Sequence, residues 1–225
     1  AKDAGFPVPD DLRATLTRSL TQALRSDYAR FIDGETYAER SWALVALTAA
    51  GKFDPSYAAE LARRSEYLDL ESTAKVVQAF ALGGQADSPV LPALTERLSQ
   101  GVVTRLYQGR EIYGGLQEAR TASGLILPSE TRTIAELVRA LAATPGTHPR
   151  LQLLTDALVT FGRDDGWGST QANAAALLAL AGLYKPPFSG AAQASIALRA
   201  GTEEGTIHLG PDIPAGTWST TSVEA

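Results

Sequence analysis

The 225-residue sequence has no cysteine, no methionine and only two histidines. Without cysteine it can hold no disulfide, no thiolate-bound metal and no cysteine nucleophile. The absence leaves the compartment open, because periplasmic chains also occur without cysteine. The lack of methionine removes any internal translation start, and no signal peptide opens the chain at Ala1-Lys2-Asp3. A processed or excised piece of a longer protein is therefore expected. No long apolar run is present: the longest without a charge, Ala174 to Tyr184, is too short to span a bilayer. A basic field is missing too. The net charge is −5, which disfavours nucleic acid and anionic membranes as partners. Aromatic residues make up only 7%. What remains, 44% hydrophobic and 20% charged residues, is the composition of a globular protein with a sizeable core.

A repeated helical rhythm dominates. Asp10 to Arg25 carries Leu12, Leu16, Leu20 and Leu24 on one stripe, with polar residues between. Thr36 to Ala50 is different: from Trp42 to Leu47 it is apolar on every side and predicts burial all round. Gly51 then stops the helix in left-handed backbone. Asp54-Pro55 supplies an N-cap and an N1 proline for a helix to about Glu66. Leu70 to Leu82 follows, with Val76, Val77 and Phe80, and exits at Gly83-Gly84. Pro89 to Gln100, Glu130 to Ala143, Pro149 to Phe161 and Thr170 to Tyr184 complete eight helices. Buried helices tend to alternate with amphipathic ones. The alternation is weakest at Glu130 to Ala143, which carries Arg132, Glu136 and Arg139. Two architectures suit such a rhythm, an open solenoid and an α/α toroid. Inner helices this apolar favour the toroid, since a solenoid keeps a wet concave face.

Two stretches break the pattern. Gly101 to Leu127 is too long for a helix–helix connection. Val102-Val103, Leu106-Tyr107 and Tyr113-Gly114-Gly115 suggest an extended excursion or a hairpin there, lined by Arg105, Arg110 and Arg120. Solvated charge or a contact with a neighbouring domain would both explain the arginines. Beyond Pro186 the period falls to two. Ala192, Ala194, Ile196 and Leu198 predict a strand, joined through Gly201 to Gly205 to a second at Thr206-Ile207-His208-Leu209. A lone hairpin is not stable alone, so this tail belongs with other strands.

The most distinctive string is Asp164-Asp165-Gly166-Trp167-Gly168-Ser169-Thr170-Gln171. It reads as a turn feeding a helix. Gly166 and Gly168 permit left-handed backbone, Trp167 plugs the helix junction, and Ser169 or Thr170 caps the next helix. An acid pair at Asp164 and Asp165, serving proton donation or metal binding, is the alternative. His148 at a helix start and His208 in a strand have no metal-ligand spacing around them. Ser123-Gly124 lacks a nucleophile elbow, and Gly114-Gly115 matches no phosphate loop. No Ser–His pair is suggested. No catalytic residue, cofactor or metal is expected.

Trp167-Gly-Ser-Thr-Gln171 followed by an apolar helix resembles the closing helices of the thioester-containing domain of alpha-2-macroglobulins and complement proteins. The opening Ala1-Lys2-Asp3-Ala4-Gly5-Phe6-Pro7-Val8-Pro9 resembles the bacterial branch, and Tyr37-Ala38 through Ala50-Gly51 fits the next inner helix. The resemblance covers roughly residues 1–184. It implies an incomplete α/α toroid over 1–185 and strands of an adjoining CUB-like domain over 186–225. Four hairpins are present where the family implies six, so about two are missing before residue 1. One apolar flank, with Leu12, Leu16 or Trp42, would then be exposed. The family's chemistry is a thioester between a cysteine and a glutamine three residues on. No such bond can exist in a sequence without cysteine. The implied function is that of a non-enzymatic piece of a bacterial, periplasmic protease-trapping protein, whose parent can be membrane-anchored. Target proteases and neighbouring domains of the same chain are the implied partners. The alternatives are an α/α-barrel enzyme of terpene-cyclase type, against which the low aromatic content argues, and a helical-repeat scaffold that binds proteins.

Overall fold

The computed structural model describes residues 8–25, 35–117, 128–163, 166–183, 194–200, 203–209 and 217–219. Within them are eight α-helices: α1 (Asp10–Leu24), α2 (Glu35–Ala49), α3 (Pro55–Arg63), α4 (Leu70–Leu82), α5 (Leu91–Gln100), α6 (Glu130–Ala142), α7 (Pro149–Phe161) and α8 (Thr170–Leu183). Two antiparallel hairpins accompany them, β1 (Val102–Tyr107) with β2 (Arg110–Leu116), and β3 (Ala194–Ala200) with β4 (Glu203–Leu209). The chain divides into two units, Ala1–Leu183 and Tyr184–Ala225.

In the first unit the even-numbered helices form a row. α2 packs on α4, α4 on α6, and α6 on α8. The odd-numbered helices back it: α1 lies on α2, α3 and α5 on α4, and α7 on α6. An inner row sheathed by an outer one is the layout of an α/α toroid, here an arc of four hairpins. The core is aliphatic and continuous, from Leu44 and Leu47 through Val76, Val77 and Phe80 to Ile134, Leu137 and Leu141.

Local chemistry sets the helix ends. Asp54 accepts from the Ser56 and Tyr57 amides at 3.1 and 3.2 Å, Asp69 from Ser72 at 2.6 Å, and Ser129 from Arg132 at 3.3 Å. The exits of α2 and α4 repeat one motif. Lys52 N–H donates to Leu47 O and Gln85 N–H to Phe80 O, both at 2.9 Å. The residue between, Gly51 or Gly84, has φ of 79° or 74°. Buried Arg40 of α2 fastens the first hairpin: its Nε donates to Leu24 O, at the end of α1, at 2.8 Å. Its guanidinium also reaches Glu60 of α3 at 3.4 Å and lies over the Tyr57 ring.

Several expectations need correction. α5 starts at Leu91 rather than Pro89, and α3 ends at Arg63, followed by a 3-10 turn at Ser65–Tyr67. The second strand of the tail begins at Glu203 rather than Thr206, so the turn is shorter than Gly201 to Gly205. α2 is not buried all round from Trp42 to Leu47, since Trp42, Val45 and Ala46 are only half-buried, and the almost wholly apolar α8 leaves Leu177 and Leu178 58% and 59% exposed. Leu12 and Leu16 are exposed, but Trp42 is half-buried, its ring lying 4.1 Å from the Lys75 ammonium. The open arc therefore has apolar surface at both ends, on α1 and on α8. α6, the least apolar inner helix by sequence, is among the most buried. Two of its charges, Arg132 and Glu136, pair with Glu71 and Lys75 of α4.

Candidate functional site

The 166–173 turn joins α7 to α8. Gly166 and Gly168 have φ of 91° and 83°, backbone that favours glycine. Trp167 is half-buried against the core. Its indole N–H donates to Leu158 O of α7 at 2.7 Å, and its backbone N–H donates to Asn173 Oδ1 of α8 at 2.6 Å. Ser169 caps α8, its hydroxyl accepting from Ala172 N–H at 3.1 Å. Thr170 opens the helix, and Gln171 Oε1 accepts from Arg132 Nη1 of α6 at 3.2 Å. A Cβ on Gly166 would meet the Asn173 side chain at 2.8 Å, and one on Gly162 the Trp167 ring at 3.2 Å. The turn thus touches three helices. Asn173, six residues after the tryptophan, was not singled out by sequence. The acid pair Asp164-Asp165 and Arg120 lie outside the described residues, as does Ser123.

The second cluster is one that sequence reasoning missed. Lys75 of α4 and Glu136 of α6, each only 3% exposed, form an ion pair at 2.7 Å. Gln78 Nε2 donates to the same carboxylate at 2.8 Å and to Glu136 O at 3.1 Å. Arg139 adds a contact at 3.2 Å. One turn earlier on each helix, Arg132 Nε meets Glu71 at 2.8 Å, and Thr133 donates to that carboxylate at 3.3 Å. The polar line runs from Trp42 of α2 through Lys75 and Glu136, and from Glu71 through Arg132 to Gln171 of α8. It crosses all four inner helices.

Its electrostatics follow from burial. Desolvation pushes the Lys75 ammonium below its ordinary 10.5, although Glu136 pulls the other way. Desolvation raises the Glu136 carboxyl, but Lys75 and Arg139 more than reverse this, leaving it below 4.5. Both groups are closed off from solvent among the described residues. The pair joins α4 to α6.

The two histidines are placed simply. His148 Nε2 is 2.9 Å from Thr144 Oγ1 at the α6–α7 turn. His208 Nδ1 is 2.8 Å from Ser195 Oγ, so a Ser–His pair exists after all. The two residues are directly opposite across β3 and β4, and both are exposed. No carboxylate among the described residues hydrogen-bonds the other ring nitrogen, so the pair lacks the orienting third group of a nucleophilic triad. Among the described residues no group of three or more acidic or imidazole side chains could hold a metal. No described helix is long and apolar enough to cross a membrane.

Neither a family model nor a curated protein matches the sequence. Solved structures do. Alpha-2-macroglobulin of Salmonella, in a crystal structure of the protein reacted with methylamine, aligns over 94% of this chain with a TM-score of 0.58 at 20% identity. The fold is that of part of a bacterial alpha-2-macroglobulin. Native alpha-2-macroglobulin of E. coli, seen by cryo-electron microscopy, gives 0.61 at 18% identity, again over 94%. A crystal structure of the E. coli protein spanning domain MG7 to the C-terminus gives 0.60 at 17%. The chain spans 13% of the first two alpha-2-macroglobulin chains and 32% of the third. Eight helices and short two-stranded sheets are therefore one segment of a much longer architecture in those relatives.

Proposed function

We propose that the chain is a non-enzymatic segment of a bacterial alpha-2-macroglobulin-type endopeptidase inhibitor. Residues 1–185 would belong to its thioester-type helical domain and 186–225 to the adjoining CUB-like domain. The observation that carries this reading is the fold likeness over 94% of the chain. The open arc supports it, because apolar ends on α1 and α8 suit a segment that neighbours continue. The buried acids support it as well: Glu71 and Glu136 are held by Arg132 and Lys75, an arrangement for rigidity rather than for proton donation to a bound substrate. In this reading the 166–171 turn is a structural clamp, and the domain moves as a rigid body when the longer protein is cleaved and encloses a protease. The proteases would be met in the periplasm, through the longer protein.

The test uses that longer polypeptide. It is mixed with an endopeptidase, and residual activity is measured on a small peptide and on a protein substrate. A trap spares the first and suppresses the second. Equal loss or equal retention of both would overturn the proposal. For the present segment, which has no cysteine, incubation with methylamine should leave the mass unchanged. An adduct would contradict the assignment.

A further inference from the structure

The β1–β2 hairpin interrupts the helical rhythm, and the helices hold it by one face. Residues directly opposite in an antiparallel pair share a face. Leu106 and Glu111 share one, with Thr104 and Tyr113 next along it. That face is fastened to α6 and α7. Glu111 accepts from Arg150 at 2.7 Å and from Thr104 at 2.6 Å. The Tyr113 ring meets Phe161 edge-on at 5.8 Å, and its hydroxyl donates to Glu130 at 2.6 Å. A two-residue turn at Gln108 and Gly109, with φ of 48° and 77°, closes the tip in the sense that matches strand twist.

The other face carries Tyr107 opposite Arg110 and Arg105 opposite Ile112. Val103, two positions before Arg105 on β1, shares it by the period of two. Val103 is 45% and Tyr107 59% exposed, Ile112 is half-buried, and both arginines are exposed. Among the described residues neither arginine has a carboxylate partner. The hairpin's own acid, Glu111, is spent on the opposite face. The result is a short apolar strip with two uncompensated positive charges beside it, on backbone that is already fixed. Tyrosine and arginine are the side chains that most often anchor interfaces.

We propose that this face docks, within the longer polypeptide, on an acidic surface of a domain outside residues 1–225. Arg105 and Arg110 pair with its carboxylates, for which the guanidinium fork is shaped, and Val103, Tyr107 and Ile112 cover apolar side chains between them. The proposal rests on the reading of the chain as a segment of a longer protein, and the solved relatives leave ample polypeptide for such a domain, since the chain spans 13% of two of them. Size argues for a partner in the same polypeptide. One hairpin face is small beside the roughly 800 Å² per partner of a stable interface between free proteins. A tether raises the effective concentration to the order of millimolar, at which a weak contact is populated. Two arginines in a chain of net charge −5 are too few to hold nucleic acid or an anionic membrane.

Arginine-selective modification with phenylglyoxal, read by mass spectrometry, tests this. Both arginines should react as exposed side chains in the 225-residue chain. In the longer polypeptide at low salt they should react at least about tenfold more slowly, and high salt should narrow the gap. Val103→Ser/Tyr107→Ser in the longer polypeptide, with folding checked by circular dichroism, should restore the reactivity. Arg105→Lys/Arg110→Lys keeps the charges and admits a carbodiimide, which joins a lysine to a carboxylate in contact with it. The expected product links position 105 or 110 to an aspartate or glutamate outside residues 1–225. Four results would overturn the proposal: equal reactivity in the two polypeptides, protection that survives Val103→Ser/Tyr107→Ser, no cross-link to an acid outside residues 1–225, or protection that arises only when an endopeptidase is added. The last would make the protease the partner. None of these readouts depends on inhibition, so a longer polypeptide that traps no protease but shields the arginines removes the proposed function and leaves the docking face.

Discussion

Removing the Glu136 carboxylate separates a buried ion pair that orders the inner row from one that is incidental. Three donors converge on this group, and they differ in what they lose. Arg139 is partly exposed and can turn to water. Gln78 keeps its second bond, to the backbone carbonyl of residue 136, in any variant. Lys75 has no such recourse: it is 3% exposed, and the Trp42 ring is its remaining close contact outside the carboxylate. Glu136→Ala therefore strands one buried ammonium and opens a cavity, at a cost of about 3–5 kcal/mol. Glu136→Gln keeps the volume and an acceptor, and should cost about 2 kcal/mol. Lys75→Met leaves the carboxylate with Gln78 and Arg139, so its cost should be smaller, about 1–2 kcal/mol. The double variant Lys75→Met/Glu136→Met should return to within about 1 kcal/mol of wild type, since apolar side chains of similar size replace a desolvated pair. Urea denaturation followed by tryptophan fluorescence and far-ultraviolet circular dichroism measures all four. A Glu136→Ala protein within about 0.5 kcal/mol of wild type, or a double variant as costly as Lys75→Met and a Glu136→Met single added together, would refute this account.

Trp167→Ala should cost about 3 kcal/mol, less than full aromatic burial because the ring is half-exposed, with the lost bond to Leu158 O included; chemical denaturation checks it. Asn173→Ala should cost about 1 kcal/mol by releasing the Trp167 amide, whereas Asn173→Asp, which keeps an acceptor, should cost less. Glu136 has a carboxyl pKa below 4.5 in the fold, so its stabilisation is present above about pH 4.5 and is lost as pH falls through the lower folded value. Lys75 works the other way: its pKa is depressed, so its charge opposes folding near neutrality, and that penalty fades as pH rises toward 10.5. Stability measured against pH should show a shallower acid limb in Glu136→Gln than in wild type. Leu177→Ser and Leu178→Ser should change stability by no more than about 0.5 kcal/mol, while Leu137→Ala, at a fully buried site of α6, should cost about 2–5 kcal/mol; parallel denaturation curves distinguish the two classes.

Helix positions were legible where chemistry is local. Leucine spacing marks α1, Asp54-Pro55 starts α3, and Gly51 and Gly84 mark the exits of α2 and α4, because each depends on residues within one turn. The glycines of the 166–169 turn were legible for the same reason. Partners far apart were not. Lys75 and Gln78 on α4 meet Glu136 on α6, some 58 positions away for the glutamine, and nothing local distinguishes them from solvated polar residues. The charges on α6 made it look like the weakest inner helix, yet those charges bind it to α4. α8 runs in the opposite direction: it is almost wholly apolar, but burial needs neighbours on every side, and the described residues leave Leu177 and Leu178 without them. Asn173 was hidden because its partner is a backbone amide in the preceding turn.

The inner helices contact one another in sequence, α2 to α4 to α6 to α8, and such an array behaves as a one-dimensional lattice with nearest-neighbour coupling. Its middle members are stabilised from two sides and its end members from one. Amide exchange should then be slowest in α4 and α6 and faster in α2 and α8, so that opening begins as fraying from the ends rather than as a single global event. A further helix laid on the Leu177–Leu178 edge would turn α8 from a terminus into an interior site. Its protection would rise toward that of α6 without any change in its own sequence.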